Sequence, residues 1–398
     1  MHAAPTRTAY DVVIIGGAIM GSSTAWWLTK LGFDGSILVI EKDPTYAACS
    51  TAHTNSCIRQ QFSTELNVRI SQFGAEFITS LPEFIGADAP RLAIHNFGYL
   101  YLADTPEFAA TLRHNQQRQA AWGAGTRLLS PDEIAQAYPF YALDDVLLGS
   151  INTQDEGYWD GAVVFDTLRA AARAGGVEYL HGEVTEMGRA GPRITGVTLQ
   201  DGTRIAAGTV VNAAGPRAAR VAQMAGVPGL PVEPRKRYTW VFKAEQPLDR
   251  ALPLTIDPSG FHVREVGGGT YLAGGYPDHD PAVDPADFQI DHSFWQDHAW
   301  PAIATRIPAF EAVKVTAEWV GHYAYNTLDQ NAILGPHPEV GNLLFQNGFS
   351  GHGLQQSPAM GRGVAEWICD GAYRSLDLTP FHYDRIVQSR PLLETAVI

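Results

Sequence analysis

Apolar residues enter this chain as short unbroken runs separated by glycine-rich turns. YDVVII, Tyr10 to Ile15, reads as a strand buried on both faces, and it ends in GGAIMG. SSTAWWLTKLG, Ser22 to Gly32, then reads as a helix: good helix formers, Lys30 in the last turn and Gly32 where a helix stops. Trp26 and Trp27 are expected to pack against a sheet. Ile37 to Ile40 forms a second buried strand, closed by Glu41. Val210 to Asn212 and Leu343 to Gln346 repeat the buried-strand pattern, and a helix is expected from about Leu354. Asp201-Gly202 marks a hairpin turn. From about Ala87 to Gly149, and from Val232 to Trp319, the style changes to aromatic and Pro-rich strands such as YTWVFKAE, GFHVREV and TYLAGGY.

A strand, glycine turn, helix and second strand closed by an acid make a dinucleotide-binding fingerprint. Gly16 supplies the tight turn, Gly21 the close helix packing, and Glu41 accepts hydrogen bonds from a ribose. Ala18 stands where the fingerprint has its middle glycine. Gly348, Gly351 and Gly353 bring backbone amides and a helix N-terminus to one place, which favours negative charge. The expected fold is α/β (α+β overall). A Rossmann-like nucleotide domain (1–86, 150–231 and 320–398) is interleaved with an antiparallel-sheet substrate domain (87–149 and 232–319).

Composition narrows the function. The 398 residues can bury a large core, and no run approaches the roughly 18 apolar residues of a membrane span. A formal net charge of -14 disfavours nonspecific attraction to nucleic acid or anionic lipid. Three cysteines without a CxxC pair encode neither a disulfide framework, a zinc site nor an iron–sulfur centre. No secretory leader precedes the first strand, so the cytoplasm is the expected compartment. PDHDPAVDPADFQIDHSFWQDH lacks metal-ligand spacing, and no metal is expected; it reads as a solvated loop followed by a helix. Against this background Arg59 in NSCIRQQF stands out, because no other Asp, Glu, Lys or Arg lies between Pro44 and Thr64. A guanidinium keeps its charge, so a partner anion is expected.

YDVVIIGGAIMGSS, STAHTNSCIRQQFS, VVNAAGP and NTLDQNAILGPHPEVGNLLFQNGFSGHGLQQSPAMGRGVAEWI resemble the D-amino-acid oxidase superfamily of FAD proteins, from about Tyr10 to Ile368. The nearest branch holds the sarcosine oxidases, dimethylglycine dehydrogenases and FAD-dependent oxidoreductase-domain proteins. The resemblance implies FAD between the two domains and oxidation of the carbon beside the nitrogen of a secondary amino acid or related amino acid. It implies FAD contacts at Gly16, Ala18, Ile19, Met20, Gly21, Glu41 and Lys42, then at Ser50, Thr51, Asn55, Ser56 and Cys57. Further contacts are implied at Val184, Ala213 and Gly215, and at Gly348, Gly351, His352, Gly353, Leu354 and Gln355.

By the same resemblance Arg59 binds the substrate carboxylate and His352 serves the flavin edge, while Gln355, Tyr271 and His262 line the substrate cavity. Three departures stand out. Gln355 occupies the place of a second cation, and His322 lies close to the place of a flavin-linking cysteine, so noncovalent FAD is expected, with His53 as an alternative link. No lysine in TYLAGGYPDHD matches the one thought to activate dioxygen, so dioxygen and a partner electron acceptor both stay open. An FAD-binding scaffold, or a flavin subunit of a larger dehydrogenase, remains as an alternative.

Overall fold

The computed structural model describes residue 2 and residues 4–395. Its first sheet has eight strands, on a main path running Ile333–His337, Val340–Asn347, Arg204–Asn212, Ala9–Ile15, Ile37–Glu41, Glu178–His181. The last four of the neighbouring pairs along this path are parallel, and a meander, Val184–Ala190 with Arg193–Leu199, pairs antiparallel onto Arg204–Asn212. These central strands are buried on both faces, which is why they read as unbroken apolar runs.

The helix Ile19–Lys30 begins three residues before Ser22, because the end of the glycine turn already forms its first turn. It is buried on almost every side, Trp26 and Trp27 included. Small residues allow that. A side chain at Gly361 would collide with Ser23, whose hydroxyl donates to the Ser357 carbonyl at 2.7 Å, so this helix and Gly353–Asp370 lie in close contact. Pro358 sits inside the second helix, and Ser357 Oγ donates at 2.8 Å to the Leu354 carbonyl that Pro358 leaves without an amide.

The second sheet also has eight strands, ordered Val313–Asn326, Val232–Ala244, Thr270–Gly275, His262–Gly267, Leu254–Ile256, Tyr99–Ala103, Leu148–Asn152, Arg127–Leu129. All its pairs are antiparallel except Leu254–Ile256 with Tyr99–Ala103. Val313–Asn326 runs unbroken past residue 319, and Leu148–Asn152 past 149, so the chain leaves this sheet later than the sequence pattern suggests. One face carries an aromatic core of Tyr238, Trp240, Phe242, Tyr271, Phe294, Trp295 and Phe310. The other looks toward the carboxyl ends of the first sheet. Among the described residues no helix is long and apolar enough to cross a membrane, and no cluster of ligating side chains could hold a metal.

The C-terminal segment is tied back by a buried ion pair. Arg385 Nε and Nη2 donate to Asp329 at 2.7 and 3.1 Å, Asp329 also accepts from the Leu392 amide at 2.9 Å, and the Glu394 carboxylate takes the Ser63 amide at 2.7 Å. Arg385→Ala strands a buried carboxylate and should cost about 3–5 kcal/mol of unfolding free energy in urea denaturation. A loss below about 1 kcal/mol would show that this pair does not anchor the segment.

Candidate active site

The loops at the carboxyl ends of the first sheet's parallel strands meet the free face of the second sheet around one large cavity, with about 2210 Å³ of empty space partly open to solvent. Ligand crevices in open parallel sheets form at this end. At its nucleotide end Gly16 has φ +103°, and a side chain there would collide with the Ala213 carbonyl. Gly21 does not line the cavity. It lies underneath, where a side chain would strike the Gly16 carbonyl, so it fixes the turn rather than touching a ligand. Glu41 closes its strand, accepts the amides of Gly17 at 2.9 Å and Asp43 at 2.8 Å, and is held above the usual carboxylate range by burial.

Two helix N-termini face this space, those of Ile19–Lys30 and Gly353–Asp370, and neither has a side-chain cap. Amides at such ends favour anions. Ala18 and His352 are the N-cap residues. The His352 imidazole donates from Nε2 to the Gln330 carbonyl at 3.2 Å, leaving Nδ1 buried without a partner. Burial and the charge of Arg59 push its pKa down, so the ring is neutral. These features fit FAD: a glycine turn and an uncapped helix end for the pyrophosphate, Glu41 for a ribose, and a second uncapped helix end for the flavin.

Most of the expected contacts lie on the wall, namely Gly16, Ala18, Ile19, Met20, Glu41, Lys42, Ser50, Thr51, Asn55, Cys57, Val184, Ala213, Gly215, Gly351, His352, Gly353, Leu354 and Gln355. Ser56 does not. Its backbone has φ +53°, and its hydroxyl turns away to accept the Gly161 amide at 2.9 Å. Gly348 is also off the wall, and a side chain there would come 3.2 Å from Asn326 Cβ and 3.4 Å from Val232.

Strand alternation decides the roof. Tyr271 has the same parity as Val263, Ala273 and Phe242, so it points into the aromatic core, stacked on Phe242 with its hydroxyl accepting the Leu248 amide at 2.8 Å. It is a packing residue, not a cavity residue. His262 has the opposite parity and lines the cavity. Its cross-strand partner is Gly274, where any side chain would collide with the imidazole. Burial and the positive charge of Arg264 lower the His262 pKa to about 4. Its Nε2 lies 2.6 Å from Asn55 Nδ2, and Nδ1 has no partner.

Arg59 reaches the wall with only 4% exposure. Its guanidinium carbon lies 4.1 Å from the Phe62 ring centroid, and Nη1 donates to the Gln61 carbonyl at 2.8 Å. Gln355 holds the backbone: its Oε1 accepts the Arg59 amide at 2.8 Å, and its Nε2 donates to Ser71 Oγ at 3.2 Å and to the Arg59 carbonyl at 3.4 Å. Gln355 is therefore spent on positioning Arg59, although it occupies the place of a second cation.

Glu156, which the sequence reading missed, completes this support. Fully buried, it accepts the amides of Gln60 at 2.5 Å and Gln61 at 3.0 Å, the Gln61 side chain at 3.1 Å and Asn152 at 2.9 Å. Burial outweighs these donors and pushes its pKa up to about 7. Cys57, beside Arg59, is kept a neutral thiol, its pKa pushed up by burial to about 11.

Residues 11–367 match the family model DAO, FAD dependent oxidoreductase. The chain is 38% identical over 423 residues to FAD-dependent oxidoreductase domain-containing protein 1 of Xenopus laevis, an alignment covering 98% of this chain and 85% of that one. It is 25% identical over 397 residues to mitochondrial sarcosine dehydrogenase of Homo sapiens, covering 95% of this chain and 42% of the relative. Among solved structures, L-proline dehydrogenase from P. horikoshii matches with a TM-score of 0.82 at 28% identity, covering 95% of this chain and 98% of the other. A site shaped for FAD and a match spanning most of the chain lead to one assignment: the protein belongs to the DAO family of FAD-dependent oxidoreductases, is of the amino acid oxidase type, and takes FAD as its cofactor.

Proposed function

We propose that the protein oxidises the C–N bond of a secondary, N-alkyl amino acid or a related amino acid, with the substrate carboxylate held by Arg59. The observation that carries this reading is the buried guanidinium on the cavity wall, with its own backbone held at both ends by Gln355. Among the relatives, proteins named for sarcosine, dimethylglycine and L-proline all act on amino acids with a substituted nitrogen.

A guanidinium attracts a carboxylate by charge-assisted hydrogen bonding, and Arg59 on the wall would thereby fix the direction in which the amine-bearing carbon points. Gln355 and Glu156 keep that grip in place from behind. The positive charges of Arg59 and Arg264 disfavour an ammonium, so the amine is bound as the free base, with its lone pair ready to form the C=N bond. Bound FAD supplies the hydride acceptor, and the substrate leaves as an imine that water hydrolyses. Noncovalent FAD is part of this proposal: His322, not a cysteine, lies close to the place of the flavin-linking cysteine, and at His53, the alternative link, Nδ1 lies 3.0 Å from the Cys49 carbonyl.

Arg59→Ala should weaken binding of an N-alkyl amino acid by about 100-fold or more, measured as the concentration that half-saturates anaerobic flavin reduction. The matching amine without a carboxylate should change by less than about threefold. Equal losses on both would contradict the assignment of Arg59. Acid precipitation should leave the yellow colour in the supernatant; colour retained in the pellet would mean a covalent link, with His53 as the first candidate.

A further inference from the structure

We propose that the cavity contains a second anion-recognition site built on Arg237, and that the amine oxidised carries a second carboxylate, as an N-carboxyalkyl amino acid does. This rests on the reading of Arg59 as the site of the first carboxylate.

The charge distribution along the wall is the starting point. Its acids, Glu41, Asp43 and Glu183, gather at the nucleotide end, where Lys42 pairs with Glu183 at 3.2 Å. The rest of the lining carries Arg59, Arg217, Arg220 and Arg237 and no carboxylate. Arg217 and Arg220 follow Ala213–Gly215 at the nucleotide end, which leaves Arg59 and Arg237 near the roof. Behind the wall Arg264, only 6% exposed, bonds the carbonyls of Asn55 and Glu265 and makes no ion pair among the described residues. The lining at the roof end is therefore cationic, with Asp280 behind Arg237 as a counter-charge.

Arg237 is also held for recognition. Its guanidinium carbon lies 4.1 Å from the Tyr276 ring centroid and 4.5 Å from that of Tyr323, and both tyrosines line the cavity. Asp280 takes the outer edge, with Nη1 to Oδ1 at 3.0 Å and Nη2 to Oδ2 at 2.9 Å, while Nη1 also donates to the Lys236 carbonyl at 2.6 Å. These three bonds leave Nε and one hydrogen of Nη2, the side edge of the guanidinium, and Nε is buried with no partner. A side edge of this kind receives a carboxylate in two parallel bonds. Asp280 is itself shared, lying 3.6 Å from Arg235 Nη1, so it fixes the orientation of Arg237 without belonging to it alone.

Tyr323 joins the two anion sites. Besides facing Arg237, its ring fills the space that a side chain at Gly351 would need, in the turn that leads to Gln355 and hence to Arg59. A ligand with carboxylates on both sides of its nitrogen would engage Arg59 with one and Arg237 with the other, setting the C–N bond between them.

Thioether analogues separate this inference from turnover, because they carry no C–N bond. Thiodiacetate has two carboxylates and (methylthio)acetate one, and each is titrated into the FAD-loaded protein while the flavin absorbance is followed. Thiodiacetate should bind at least about 30-fold more tightly, and Arg237→Lys, which keeps a positive charge beside Asp280 but has no side edge, should bring the two constants within about threefold. Equal affinities in the wild-type protein would overturn the second site and leave the Arg59 reading standing. Failure of both analogues to perturb the flavin would overturn both. Should the Lys variant not fold, the wild-type comparison decides alone.

Discussion

Keeping Arg59 both charged and buried is the constraint on which the rest of this site depends. A guanidinium cannot lose its proton, so its surroundings must compensate for lost water. Part of this compensation comes from an aromatic face at Phe62, the Gln61 carbonyl, and the buried carboxyl of Glu156 one layer behind. Each of these groups has to be fixed in turn. The backbone amides of Gln60 and Gln61 go to Glu156, while the Gln60 side chain donates to the Gln154 carbonyl and the Gln61 side chain bonds Glu156, Ser150 and the Tyr99 carbonyl, which gives both glutamines in IRQQF a role. The tightly packed first domain enters through Gln355, carried on the helix whose N-terminus faces the cavity. Gly74, where a side chain would lie 2.7 Å from the Gln355 carbonyl, lets the helix Glu65–Thr79 come against it.

The opposite wall follows from strand parity. Along Val232–Ala244, Tyr238, Trp240 and Phe242 build the aromatic core, and Arg237 and Thr239, which alternate with them, line the cavity. The same alternation places His262 over Gly274, and His53 where a side chain at Gly321 would come within 2.6 Å. A one-residue shift in any of these strands would exchange the core face for the reactive face. The large aromatic core thus fixes the register that presents the roof residues.

The sequence made legible what is local. The glycine turn, its helix and Glu41 lie within one βαβ unit, so two apolar runs, a stretch of good helix formers and a few glycines reveal them; even so, Gly21 acts beneath the turn rather than on the ligand. Tyr271 was misplaced because TYLAGGY shows an aromatic strand without showing which of its faces is buried. Glu156 and Arg237 escaped notice because their meaning lies with distant partners: Gln60 is 96 residues from Glu156, and Asp280 is 43 from Arg237. A charged triplet, RKR at 235–237, opening an otherwise aromatic strand was the available signal for the second. Gln355 reads as a lost cation in the sequence, and only the fold shows its amide holding both backbone groups of Arg59.

The most direct test is an anaerobic absorbance titration of the FAD-loaded protein with sarcosine, dimethylglycine, proline, pipecolate, N-carboxyalkyl amino acids and D-amino acids. The account predicts that one or more of the N-substituted amino acids bleaches the flavin band. A flavin that dithionite reduces but none of these compounds does would contradict the claim that this cavity oxidises amino acids of that class.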